Sequence, residues 1–134
     1  MHTPVQKEII DIIDQTLRPV GSIEYAFLFG SALRRLLRES DIDILVGGEI
    51  DFDTKLVLTA GLSTRLKRNV DLVQASEARC ELVLKAMSEG ILIFVKYGEK
   101  LKQDYLRNWR SFDDSTGLRR IRIERIRQQY ANGR

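Results

Sequence analysis

The chain has 134 residues, 43% of them hydrophobic and 31% charged, with a formal net charge of +3. That is ordinary globular composition and enough length for one modest core. One cysteine (Cys80) and one histidine (His2) exclude an internal disulfide and a multi-cysteine zinc site, and they leave catalysis to carboxylates, hydroxyls, lysine and arginine. No signal-peptide pattern and no run of 18 apolar residues is present, so a soluble protein is expected.

In chain order, the opening segment "TPVQKEIIDIIDQTLRP" predicts a helix. Thr3 suits the N-cap, Pro4 the first helical position, and Gln6 the spacing of a capping box. "SIEYAFLF" predicts a strand ending at Gly30-Ser31, followed by a short helical turn over "ALRRLLRE". "DIDILVG" predicts a second strand. "FDTKLVLTAGLSTRLKR" predicts a helix, with Leu58, Leu62 and Leu66 at i, i+4 and i+8. "NVDLVQ" predicts a third strand, and the preceding "KRN" at 67–69 reads as a solvated turn. "SEARCELVLKAMSEG" predicts a helix capped by Ser76 and closed by Gly90. "ILIFVKYG" reads as a strand or as the start of the following helix. "EKLKQDYLRNW" and "TGLRRIRIERIRQQY" predict two helices across a turn at "SFDDSTG". Strands alternating with helices predict an α/β (α+β) fold, a small mixed sheet with helices packed on it. No linker marks a second domain. Residues 1–97 are expected to form the core and 98–134 a C-terminal helical extension of the same domain.

The chemistry concentrates in "FGSALRRLLRESDIDILV", residues 29–46. Successive strand side chains point to opposite faces, so Asp41 and Asp43 share a face. Carboxylates in an apolar run are costly unless something offsets their charge. A divalent cation does so, and Mg²⁺ prefers hard oxygen ligands. Asp71, in "NVDLV", is a third carboxylate in a short apolar strand, able to converge with the pair if the strands are neighbours. Two metal ions held this way stabilise both the attacking and the leaving oxygen of a phosphoryl displacement. Gly30 permits close backbone approach and Ser31 adds a hydroxyl at the start of a helical turn, a phosphate cradle. Arg34 and Arg35 can neutralise outer phosphates. A lone Gly-Ser or a lone Asp-x-Asp is usually structural; the combination is what is specific.

"FLFGSALRRLLRESDIDILV" followed by "LKRNVDLV" resembles the minimal nucleotidyltransferase (MNT) family of the DNA polymerase β superfamily, over roughly residues 20–97. The resemblance implies transfer of a nucleoside monophosphate from a nucleoside triphosphate to a hydroxyl. Gly30 and Ser31 would hold the triphosphate, with Arg34, Arg35 and Ser40 as further nucleotide-binding candidates. Asp41 and Asp43 would bind two Mg²⁺ ions, and Asp71 would share the catalytic metal and help deprotonate the acceptor. The chain departs from the common Gly-Ser-x-Ala-Arg-Gly pattern: it lacks the second glycine, carries Leu33, and is one residue shorter before the aspartates. Arg34 and Arg35 stand equally as the family's arginine.

Further domains that hold primers, templates or antibiotics do not fit in this length. The free-standing branch that fits resembles antitoxins of HEPN-domain ribonuclease toxins. It implies AMP transfer from ATP to a partner tyrosine, in a cytoplasmic, prokaryotic hetero-complex with no membrane. The alternatives are an inactive antitoxin that acts by binding alone, and an RNA-binding accessory domain. The last draws on the tail Leu118–Arg134, whose six arginines against one glutamate give a local +5 and leave residues 1–117 at −2, the difference from the whole-chain +3. Leu118, Ile121, Ile126 and Tyr130 make that tail an imperfect amphipathic helix, with Tyr105 and Trp109 nearby as interface anchors.

Overall fold

The computed structural model describes residues 4–30 and 41–115. Eight elements follow in order: α1 (Pro4–Leu17), β1 (Tyr25–Phe29), β2 (Ile42–Gly47), α2 (Phe52–Leu66), β3 (Val70–Gln74), α3 (Cys80–Glu89), β4 (Ile91–Val95) and α4 (Gly98–Ser115). The strands form one mixed sheet in the order β3-β2-β1-β4. β1 runs antiparallel to both β2 and β4, and β2 is parallel to β3. A four-stranded mixed sheet with four helices is the α+β arrangement expected from the alternation of elements. The "ILIFVKYG" segment resolves as strand β4, not as a helix start.

Both sheet faces are covered, which explains why the strands read as near-continuous apolar runs. On one face Ile9, Ile13 and Leu17 of α1 and Leu62 of α2 pack on Ala26, Leu28, Ile42, Ile44, Val46 and Leu72. Leu58 and Leu66 flank Leu62 there, as the leucine spacing requires. On the other face Val83 and Ala86 of α3, with Leu101 of α4 at the margin, pack on Tyr25, Phe27, Phe29 and Leu45.

α2 starts at Asp51, whose carboxylate accepts from the Thr54 N–H at 2.7 Å, and ends at Lys67 in the left-handed conformation (φ 55°). That reversal sends the chain into β3. Two boundaries depart from the sequence expectation. The cap of α3 is Arg79, not Ser76, because the Glu77 and Ala78 amides both turn back onto the Gln74 carbonyl and delay the helix. Gly90 closes α3 as anticipated. α4 runs through "SFDDS" to Ser115 rather than turning there. Trp109 and Phe112 make an edge-on contact at 5.7 Å, and Tyr105 stacks on Trp109 at 6.5 Å, so an aromatic ladder at i, i+4 and i+7 continues the helix past the polar residues. The Thr3 cap, the helical turn over "ALRRLLRE" and the helix expected over "TGLRRIRIERIRQQY" lie outside the described residues. Among the described residues no helix is long and apolar enough to cross a membrane.

Candidate active site

The parallel strands β2 and β3 both begin at the sheet end where antiparallel β1 finishes, so the motif residues gather there. Phe29 pairs with Asp43, and Asp43 pairs with Asp71. Alternation fixes the face. Ile42 and Ile44 belong to the core under α1 and α2, so Asp43 projects to the opposite face, with Leu45. Val70 and Leu72 likewise turn inward and leave Asp71 on the Asp43 side. Asp41, one step before β2, has the parity of Asp43. Asp41 and Asp71 are exposed and Asp43 is half-buried. The Ile42 N–H donates to the Asn69 carbonyl at 2.8 Å, which ties the approach to β3 directly beside the Asp41–Asp43 pair.

Gly30 shows why its position requires glycine. Its φ is +88°, and a Cβ there would stand 2.2 Å from Oδ2 of Asp43 and 3.1 Å from its Cγ. The turn after β1 therefore passes with its bare Cα against the central carboxylate. Partial burial, then the like charges of Asp71 and Asp41, push the Asp43 carboxyl above the ordinary carboxylate value. Two neighbouring carboxylates that destabilise a third form an arrangement that a hard divalent cation relieves, so the donor set suits Mg²⁺. Among the described residues no group of three or more histidine, cysteine, aspartate or glutamate side chains is disposed to hold a metal ion as the side chains stand. The three aspartates are mutually repelling neighbours, held in register by the β2–β3 pairing.

Of the residues singled out in the sequence, Gly30, Asp41, Asp43 and Asp71 meet at this one end of the sheet. Ser31, Arg34, Arg35 and Ser40 lie outside the described residues. Arg68 departs from the reading of "KRN" as a solvated turn. The residue is half-buried, and its Nη1 is shielded from solvent with no hydrogen-bond partner among the described residues. Such an orphan can be found only in three dimensions, because the sequence shows just one arginine in a basic turn.

No curated protein sequence gives a significant match. Among solved structures, the fold is similar to that of a complex of a tri-AMPylated HEPN toxin with an MNT antitoxin from Shewanella oneidensis: TM-score 0.70 and 22% identity over 90% of this chain and 98% of that one. A toxin–antitoxin complex with AMP-PNP superposes with TM-score 0.70 at 21% identity, covering 87% and 97%. The MntA–HepT toxin–antitoxin complex gives 0.69 at 20%, covering 90% and 98%. The family model for polymerase beta nucleotidyltransferases matches residues 7–99, which takes in most of α1, every element from β1 to β4, the first residues of α4 and every carboxylate of the site. With that match spanning most of its length, the chain belongs to the polymerase beta nucleotidyltransferase family.

Proposed function

We propose that this chain is an Mg²⁺-dependent protein adenylyltransferase that moves AMP from ATP to a hydroxyl of a HEPN-type toxin, a tyrosine in the first instance, and thereby acts as its antitoxin. The observation that carries the reading is the half-buried Asp43 carboxylate, seated against bare Gly30 and paired in register with Asp71. The fold shared with antitoxin complexes that contain a tri-AMPylated toxin or AMP-PNP supports the choice of partner and nucleotide. In this reading residues 1–97 are the transferase core and 98–134 an extension of the same domain.

Roles follow from position along the sheet end. Gly30, at the end of β1, admits the triphosphate against the backbone, and the resemblance to the family makes Ser31, Arg34, Arg35 and Ser40 further nucleotide-binding candidates. Asp41, Asp43 and Asp71 would hold Mg²⁺, which when bound supplies charge stabilisation to the transferring phosphoryl group. Asp71, on the outer strand, accepts the proton of the incoming hydroxyl. The acceptor oxygen then forms its bond to the α-phosphorus as the bond to the bridging oxygen breaks, and pyrophosphate departs with that electron pair.

The test uses the HEPN-domain protein purified in complex with this chain, Mg²⁺, and ATP labelled at the α- or the γ-phosphate. Label is expected on the partner from the α position only, and Asp43→Ala abolishes it while the complex still forms. Neutralisation of the toxin by Asp43→Ala, with no label from either position in the wild type, would replace this reading with neutralisation by binding alone.

A further inference from the structure

Helix α2 is apolar on two sides. Leu62 is fully buried against the sheet, and Leu58 and Leu66 pack beside it. Yet its first half also carries Phe52, Leu56 and Val57, which are 73%, 52% and 71% exposed, and its second half leaves Ala60, Gly61 and Thr64 exposed. Helical geometry sets Leu56, Val57, Ala60 and Thr64 on the side opposite the three leucines, with Phe52 and Gly61 at its two flanks. An outer side this apolar is ordinarily covered in the working protein. A Cβ added at Gly61 would meet no neighbour within 4 Å, so the small-residue half is open to a close approach.

Large apolar residues in one half and small ones in the other make this side complementary to itself. Two such helices laid antiparallel set the large half of each against the small half of the other. The charges divide the same way. Glu49, Asp51 and Asp53 lie at the N-terminal end, and Arg65 and Lys67 at the C-terminal end, all exposed. Among the described residues none of the five forms an ion pair within the chain. Asp51 accepts from the Thr54 N–H, and Arg65 donates to the neutral side chains of Thr16 and Gln15. An antiparallel pair brings the acidic end of each helix beside the basic end of the other, and the helix dipoles add to that attraction. A parallel pair would bring like charges together. We infer that α2 is the contact between two copies of this chain, packed antiparallel about a two-fold axis. The inference stands apart from the adenylyltransferase reading. α2 covers the sheet face opposite Asp43 and Asp71, so the pairing leaves the carboxylate face open.

The experiment is sedimentation of the full chain, without any partner, over about 1 to 100 µM, because one helix pair is a small interface and binds in the micromolar range. Wild type is expected to pass from the mass of one chain to twice that mass. Val57→Glu, which sets an unpaired charge in the contact, should weaken the pairing at least about tenfold. Ala60→Gln, which adds no charge and fills the small half, should weaken it as well. Both positions are exposed, so circular dichroism and the thermal midpoint should match wild type. Asp53→Lys should also weaken the pairing, and adding Lys67→Glu should recover it. A wild type that keeps the mass of one chain throughout would overturn the inference. So would a dimer that neither Val57→Glu nor Ala60→Gln disturbs, which would place the contact elsewhere. Amide protection of α2 that arises only on adding the HEPN-domain protein would give the surface to that partner instead. Failure of Lys67→Glu to recover Asp53→Lys would overturn the antiparallel order.

Discussion

At Gly30 two constraints coincide, a positive φ and a carboxylate within van der Waals reach of the Cα. Gly30→Ala would therefore meet backbone strain of about 1–2 kcal/mol and a methyl driven into Asp43. We expect a lower unfolding midpoint in urea and at least a tenfold loss of AMP transfer, because the displaced carboxylate is the central one. Asp43 makes a second, opposite prediction. Its carboxyl binds a proton more tightly in the folded chain than in the unfolded one, so folding stability falls as pH rises from the ordinary carboxylate value through the raised one. At neutral pH without Mg²⁺ the charged group is a burden. Asp43→Asn should then stabilise the fold, by no more than about 1 kcal/mol after solvent screening, while abolishing transfer. The gain should vanish below the ordinary carboxylate value. Thermal unfolding of the two proteins across pH, with EDTA present, measures it; a neutral-pH loss on substitution would contradict the repulsion argument. Sequence spacing was enough to bring Asp41, Asp43 and Asp71 together, because strand alternation and register are periodic. It could not reveal the contact of Gly30 with Asp43 or the isolation of Arg68 Nη1, since both depend on how separate segments pass one another.

Among the elements, those with a clear period were legible. α1, α2 and the four strands lie within a few residues of the expected ranges because buried apolar residues set their periods. The errors fell where local polar signals competed with packing, as at the start of α3 and across "SFDDS" in α4. The same competition explains how α4 is fastened. Tyr25 is fully buried beneath it, and its hydroxyl donates to the Asp104 carboxylate at 2.7 Å. Arg107 also donates to Asp104. Burial first, then this bond, raises the Tyr25 phenol well above its ordinary value, so it remains a donor throughout the accessible pH range. The ring passes over Gly47, where a Cβ would lie 1.9 Å from Cε2 of Tyr25, so the glycine that closes β2 is spacing for the tyrosine. Tyr25→Phe removes one donor from a mostly buried carboxylate, and we expect a loss of about 2 kcal/mol in urea unfolding. Asp104→Asn, which still accepts the tyrosine hydrogen bond, should cost less. An equal loss would mean that the charge, not the hydrogen bond, holds α4.

Over the whole molecule, charge is divided. Residues 1–117, which carry Asp41, Asp43 and Asp71, sum to −2, and the segment Leu118–Arg134 carries +5. An acidic transferase body repels a free polyanion, whereas six arginines supply a generic attraction to one. Any affinity of this chain for RNA should therefore belong to the tail and be electrostatic in kind. For a single-stranded homopolymer the logarithm of affinity should fall with the logarithm of salt, with a slope no steeper than about −4, the limit for six phosphate contacts. The chain truncated after Asp114 should show no retention under the same conditions. It should still transfer AMP to its partner, because Gly30 and the three aspartates lie on β1, β2 and β3 and their approaches. RNA affinity with an unchanged salt slope after truncation would locate the contact on the body. Loss of AMP transfer with the nucleotide still bound would assign the tail to holding the acceptor protein. The sequence marks the charge boundary between body and tail plainly; which polyanion or protein the tail meets is the question these two measurements divide.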